Sequence, residues 1–352
     1  MRTELFDFHL PDERIALRPC SPRDHAKLLH VMPRGRFGDW HVYDLPDLLR
    51  EGDILVLNDT RVLPAALTAI RPPRPVGGGA DVPVTINLHK PVNAHAWRAF
   101  AKPAKRLRTE DALIFSDKLT ARVSDKGDGG DIQLEFSLSD HALTGEINRI
   151  GDIPLPPYIV RRRKTDARDV RDYQTVYARE AGSVAAPTAG LHFTPGLLGH
   201  LKKRGINIHH LTLHVGAATF LPVKSGNVSD HKMHSEWFTL PAKVAEQIST
   251  AKSRGHRIIA VGTTALRALE SAAQSGQFKA RTGETDIFIT PGYQFKIIDG
   301  LMTNFHLPRS TLFMLVCALA GRKRMQAAYA HALGNDYRFY SYGDSSLLWK
   351  AD

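Results

Sequence analysis

Continuous apolar runs closed off by polar turns mark both ends of the chain, whereas its middle shows short runs of alternating polarity. Ile54-Leu55-Val56-Leu57 and Ile258-Ile259-Ala260-Val261 are unbroken apolar stretches of strand length, the pattern of strands covered on both faces. Residues 206–213 read as another strand. Helical patterns fall between them: a short stretch over 45–50, then 195–204 stopping at Gly205, 241–253 ending at Arg254-Gly255, and 265–274. Residues 63–150 differ. Val82 to Leu88, Trp97 to Lys102, Ala112 to Phe115, Leu119 to Val123 and Ile132 to Phe136 are short strand-like runs, and Lys126-Gly127-Asp128-Gly129-Gly130-Asp131 is a hairpin signal. The pattern predicts an α/β fold: a Rossmann-like mixed-sheet main domain built from 1–62 and 151–352, interrupted by a small barrel or sandwich over 63–150.

Several polar clusters lie where packing alone does not call for them. The strand at 54–57 ends abruptly in Asn58-Asp59-Thr60-Arg61, and open α/β sheets keep ligand groups at such strand ends. Gly262-Thr263-Thr264 turns the strand at 258–261 into a helix, which aims backbone N–H groups at an anion or carboxylate. Residues 185–194 surround His192 with small residues, so a ligand can approach the backbone closely. Residues 211–220 carry His214 into a small-residue turn, 230–236 hold His231, His234 and Glu236, and 337–344 alternate aromatic and polar groups. The densest cluster is Thr303-Asn304-Phe305-His306-Leu307-Pro308-Arg309-Ser310-Thr311, directly before the apolar run 312–320. Ser310 and Thr311 suit helix caps, which leaves His306 and Arg309 unexplained. His231, His234 and Glu236, joined by His214 or His306, are also a conceivable zinc set, although His-x-x-His without cysteine is not a structural-zinc spacing.

Composition narrows the class. Of 352 residues, 43% are hydrophobic and 24% charged, which is globular, and the formal net charge of +11 points to a polyanionic partner, most simply RNA. Basic residues gather in Arg161-Arg162-Arg163-Lys164, in Lys102, Lys105, Arg106 and Arg108, and in Arg322-Lys323-Arg324. The two cysteines, Cys20 and Cys317, exclude a disulfide framework and fit a reducing cytoplasm. No leader pattern opens the sequence, and 312–320 is far below the roughly 20 apolar residues of a membrane span, so a soluble cytoplasmic protein is expected.

These residues also carry a resemblance. Gly52-Asp53-Ile54-Leu55-Val56-Leu57-Asn58-Asp59-Thr60-Arg61-Val62, Tyr173-Gln174-Thr175-Val176-Tyr177-Ala178, residues 183–194, 231–236, Ala260-Val261-Gly262-Thr263-Thr264, 303–311 and 337–344 follow in order along almost the whole chain. Together they resemble the S-adenosylmethionine:tRNA ribosyltransferase-isomerase family of queuosine biosynthesis. Two departures stand out: Ala218 where the family carries glycine, expected to tighten a turn, and Ser345-Ser346 in place of a more apolar pair, expected to be peripheral. The resemblance implies an α/β domain interrupted by a small β-barrel, acting as a monomer without a metal or prosthetic group. It implies S-adenosylmethionine as co-substrate and, as partner, tRNA carrying 7-aminomethyl-7-deazaguanine at the wobble position. The implied products are epoxyqueuosine in the tRNA, adenine and methionine.

That chemistry sets requirements. The sulfonium acidifies the ribose C5′ protons, so one route begins with a base that leaves an ylide-like carbon to attack the modified base. Ring opening then expels adenine, and epoxide closure expels methionine. A base, an acid near adenine, donors for ribose and an anchor for the methionine carboxylate are needed. By residue type, His192, His234 and His306 are the proton-transfer candidates, and Asp59 and Glu236 orient an imidazole or contact ribose. Arg61 or Arg309 forks the carboxylate, in competition with Gly262, Thr263 and Thr264. Tyr342 is expected to stack on a base, and Thr188, His214, Asn304 and Ser310 complete the substrate contacts. Arg161, Arg162, Arg163 and Lys164 are expected to grip RNA. The competing readings are a non-catalytic RNA-binding protein with a ligand pocket, a metal-dependent hydrolase and, more weakly, a methyltransferase, which lacks its glycine-rich loop here.

Overall fold

A computed structural model describes residues 1–74, 76–216 and 225–351. The strands are β1 (Lys27–Val31), β2 (Gly38–His41), β3 (Ile54–Asn58), β4 (Thr60–Val62), β5 (Ala66–Arg71), β6 (Val82–Pro91), β7 (Ala96–Lys102), β8 (Ala112–Ile114), β9 (Thr120–Lys126), β10 (Asp131–Phe136), β11 (Glu180–Ser183), β12 (Asn207–Leu213), β13 (Glu236–Leu240), β14 (Ile258–Val261), β15 (Arg281–Thr285), β16 (Gly300–Asn304) and β17 (Ser345–Trp349). The helices are α1 (Leu45–Leu48), α2 (Asp140–Ile150), α3 (Pro157–Val160), α4 (Arg168–Asp172), α5 (Pro195–Lys203), α6 (Ala242–Ser253), α7 (Thr263–Ala272), α8 (Thr311–Ala320) and α9 (Arg322–Gly334).

The main sheet runs β15-β13-β12-β3-β14-β16-β17-β1-β2. Strands β12, β3, β14 and β16 are mutually parallel, while β13 and β17 run against them. Every residue of β3, β14, β16 and β17 is buried, which explains why β3 and β14 read as unbroken apolar runs. Alternate side chains feed two cores. Ile54, Val56, Ile258, Ala260 and Leu301 pack with Ile248 of α6, Leu266 and Leu269 of α7, Phe313 of α8 and Met325 of α9. Leu55, Leu57, Ile259, Val261 and Met302 face the other way, onto Leu45 of α1 and Leu197 and Leu201 of α5. The result is the mixed α/β sheet with helices on both faces that the pattern predicts.

Residues 66–136 close into a six-stranded barrel, β10-β7-β6-β5-β8-β9. Strands β5 and β10 alternate buried with more accessible residues, as a small barrel with a filled interior requires. Leu67, Ile86, Ala99, Val123 and Leu134 fill it, and Leu143 and Ile147 of α2 close its side. The predicted hairpin sits between β9 and β10, where Gly127 N donates to the Asp131 carbonyl at 2.8 Å. At the foot of the barrel the chain enters and leaves together: Ala66 and Asp152 exchange two backbone hydrogen bonds, 3.1 and 2.8 Å.

One expectation needs correction here. Ser345 and Ser346 are not peripheral: both are buried in β17, and their hydroxyls donate to the Thr303 carbonyl at 3.0 and 3.2 Å. Ala218 lies outside the described residues.

Candidate active site at the strand ends

Strand direction assembles the site. The C-terminal ends of β3, β12, β14 and β16 lie along one edge of the sheet, and the N-terminal ends of the opposed β13 and β17 lie there too. Asn58, His214, Gly262, Asn304, Glu236 and Ser345 therefore come together from distant parts of the chain, at the edge where open α/β sheets hold ligands.

Asn58 is the keystone. Fully buried, its amide donates to the Leu213 carbonyl (2.9 Å) and to Thr264 Oγ1 (3.2 Å), while its Oδ1 accepts from Leu213 N (3.0 Å) and Thr60 N (3.2 Å). It ties the ends of β3, β12 and α7 with no polar atom to spare. Neighbouring Asp59 is also buried; Thr212 Oγ1 donates to Oδ1 at 2.7 Å and Arg179 Nη2 to Oδ2 at 2.7 Å. A carboxylate so engaged holds its surroundings in place. Arg61 alternates outward on β4, and among the described residues its exposed guanidinium meets no carboxylate.

A second group forms around His192. Thr188 Oγ1 donates to Asn304 Oδ1 (2.8 Å), and Asn304 Nδ2 lies 3.3 Å from His192 Nε2, with the amide orientation set by this network. Burial, reinforced by the Arg338 charge, pushes the His192 pKa down to about 4; a hydrogen bond from the ring to the Arg23 backbone opposes this only in part. His192 is thus a neutral imidazole whose Nε2 accepts from the Asn304 amide at the end of β16. Its loop needs Gly190, because a Cβ there would stand 2.0 Å from the Tyr177 hydroxyl. The buried hydroxyls of Thr175, Tyr177 and Tyr342 have no hydrogen-bond partner among the described residues, an unusual state for buried polar atoms.

A third group centres on His214. Its Nδ1 lies 2.8 Å from Thr60 Oγ1, and its ring stacks on Trp237 at 5.0 Å and 16°. Thr60 Oγ1 also reaches the Glu180 carbonyl at 3.4 Å; when it donates there, it accepts from Nδ1–H and leaves Nε2 as the acceptor. Burial lowers the His214 pKa, against the opposing charges of Glu180 and Asp59. Gly182, with φ of +151°, lies flat against the ring; a Cβ would meet it at 2.7 Å.

Other predicted residues are engaged differently. Glu236 accepts from Gly216 N at 3.0 Å and is ion-paired with buried Arg267, so it braces the turn after β12 and is not placed to carry protons. His234 stands exposed at the margin. The zinc set weighed above is not assembled: among the described residues no three potential ligands gather, and Glu236 turns to Arg267. His306 lies 3.0 Å through Nε2 from Thr303 Oγ1, and burial pushes its pKa down to about 3. Arg309 is withdrawn to the surface as the ion-pair partner of Asp7. Ser310 is the N-cap of α8, accepting from Phe313 N at 3.1 Å, so capping is its role. Thr263 is buried at the start of α7, and Gly262 N is already spent on the Met302 carbonyl at 2.8 Å, so only Thr264 of that turn reaches Asn58. Tyr342 is packed edge-on against Tyr173 and is 2% exposed, which closes its ring to stacking. Of the basic run, Arg163 is locked onto Asp169 (2.6 and 2.8 Å), and Arg162 pairs with Asp12 (2.8 Å); Arg161 and Lys164 stay exposed.

Sequence reasoning missed Thr60 and Trp237 as site residues. A signal existed for Thr60, inside the quartet already singled out.

Known proteins with this arrangement can now be compared. Residues 3–348 match the family described as queuosine biosynthesis protein. The S-adenosylmethionine:tRNA ribosyltransferase-isomerase of Maricaulis maris is 58% identical over 99% of both chains. The proteins so named in Allorhizobium ampelinum and Brucella ovis are each 55% identical over 100% of this chain, covering 100% and 98% of their own. The chain belongs to this family. As a member, it is a transferase-isomerase of queuosine biosynthesis, a tRNA-modifying enzyme that uses S-adenosylmethionine. The crystal structure of S-adenosylmethionine tRNA ribosyltransferase from Thermotoga maritima is 32% identical, with a TM-score of 0.56 over 97% of this chain and 99% of that one. The fold read from the strand pattern is thus shared with a solved relative in the family.

Proposed function

We propose that this enzyme transfers and isomerises the ribosyl group of S-adenosylmethionine onto 7-aminomethyl-7-deazaguanine at the tRNA wobble position, releasing adenine and methionine and leaving epoxyqueuosine. The observation that carries the reading is that two neutral imidazoles, His192 and His214, are held at the strand ends by Asn304 and Thr60, with the exposed guanidinium of Arg61 on the outer side of β4.

The protonation states order the steps. A neutral imidazole takes a proton before it gives one, so abstraction from C5′ next to the sulfonium has His192 Nε2 exchange the Asn304 amide for the substrate. Once charged, a buried His192 with a pKa near 4 is a strong donor, able to return that proton to departing adenine. Asn304 and Thr188 fix its ring, which restricts motion at the reacting carbon. Arg61 forks the methionine carboxylate, and the His214–Trp237 stack offers a planar face to a nucleobase. The protein works as a monomer in the cytoplasm on this reading, with Arg161 and Lys164 among its RNA contacts.

The test is direct. Purified protein, tRNA carrying 7-aminomethyl-7-deazaguanine and ribose-labelled S-adenosylmethionine should yield labelled epoxyqueuosine with one adenine released per nucleoside formed. A methyl gain, or modified tRNA without adenine release, overturns the assignment. In single turnover, His192→Gln should slow product formation by about 10²-fold or more.

A further inference from the structure

The reaction leaves one built feature unused, at the far end of the barrel. There β5 ends at Arg71, paired in register with Val82 at the start of β6. A cleft of about 400 Å³ opens beside this pair, walled by Arg71, Arg74, Asp81, Lys105, Arg106 and Arg108. Five cations face one carboxylate. Behind the wall, one buried carboxylate, Asp111, accepts from Arg74 Nε at 2.6 Å and Nη2 at 2.7 Å, and its charge also reaches Arg71. Among the described residues, Lys105, Arg106 and Arg108 are exposed and meet no carboxylate. Arg71 is the more telling case. It is 5% exposed, its Nη1 is satisfied only by the Pro72 carbonyl at 2.6 Å, its Nε has no hydrogen-bond partner, and it feels the Asp111 charge without a hydrogen bond to that carboxylate. A buried guanidinium with unmade hydrogen bonds is costly, and an anion seated in the cleft that Arg71 lines would offset that cost.

We propose that this cleft grips the phosphodiester backbone of the tRNA stem that leads away from the reacting nucleotide. The inference rests on the proposed tRNA substrate. Placement favours RNA over a small anion. The foot of the barrel joins the main sheet through the Ala66–Asp152 pair and the Lys90–Glu284 ion pair at 3.0 Å. The six residues of β5 put the cleft about 20 Å beyond that foot. A duplex carries one charge per about 1.7 Å of axis, so a stem emerging from the strand-end site presents on the order of ten phosphates over that distance. The cleft is wide, open and multiply basic, which suits a backbone better than a single ion.

The experiment compares the intact protein with a triple variant, Lys105→Ala, Arg106→Ala and Arg108→Ala, whose side chains are exposed and not required for folding. Full-length tRNA carrying 7-aminomethyl-7-deazaguanine is titrated across a potassium chloride series. The slope of log affinity against log salt should become shallower by about two to three, near 0.9 per lost phosphate contact. The KM for tRNA should rise about tenfold, with the loss falling on KM and not on kcat. An unchanged slope and KM overturn the proposal. So does an unchanged slope accompanied by thermal stabilisation with inorganic phosphate in the wild type alone, since that outcome assigns the cleft to a small anion. A wild type that shows the slope change but forms no epoxyqueuosine sinks the proposed reaction and keeps this site; an active wild type with an insensitive variant does the reverse.

Discussion

His192 is one of the buried imidazoles that link stability to pH in this protein. His192 titrates near 4 when folded and near 6.5 when unfolded, so the unfolded chain binds the proton more tightly. Its contribution is therefore complete above pH 6.5 and is lost as pH falls toward 4, to the extent of about 3 kcal/mol. Urea midpoints measured between pH 7 and pH 4 should fall more steeply in the wild type than in His192→Gln; parallel profiles refute the buried neutral state. Gly190→Ala drives a methyl into the Tyr177 hydroxyl, and should cost about 1–3 kcal/mol and most of the activity, whereas Gly190→Ala combined with Tyr177→Phe recovers part of the stability. Residue type identifies such histidines as proton carriers, but desolvation is invisible in a sequence. The same blindness made Arg309 and Glu236 look available. Their partners, Asp7 and Arg267, lie 302 and 31 positions away, and nothing local announces them.

At the level of elements, the legible parts were those with one dominant signal. Strands β3 and β14 are unbroken apolar runs because both faces are covered, and the β9–β10 hairpin is marked by its Gly-Asp turn. By contrast, β16 and β17 end in Thr303-Asn304 and begin with Ser345-Ser346, so their polar residues disguise strands as loop. These polar groups satisfy one another, which lets them stay buried. The alternation of β4 yields a prediction about binding. Thr60 and Val62 point inward and Arg61 outward, so Arg61→Met should leave the urea midpoint nearly unchanged. It should raise the KM for S-adenosylmethionine at least tenfold, in line with about 1.5–3 kcal/mol for a charge-assisted hydrogen bond. Steady-state kinetics with decarboxylated S-adenosylmethionine supplies the control, since that analogue has no carboxylate to lose and should not distinguish the two proteins.

For the whole molecule, net charge of +11 and the repeated basic clusters point to a polyanion without saying where it lies. The structure divides these clusters. Arg163 is consumed by Asp169, while Arg161 and Lys164 remain open to solvent. Arg161→Ala with Lys164→Ala should therefore flatten the salt dependence of tRNA binding by about two, and adding Arg163→Ala should mainly lower stability. Equal slopes for the double variant and the wild type return Arg161 and Lys164 to ordinary solvated surface. The sheet order adds a consequence for biogenesis. Strand β17, built from residues 345–349, sits between β16 and β1, so the first strand in the chain finds its parallel neighbour only in the last one. During synthesis β1 must wait, one edge unpaired, until residues 345–349 have left the ribosome. A chain broken off before residue 345 would leave a gap between β16 and β1, and chaperone dependence should be greatest for chains that have not yet released β17.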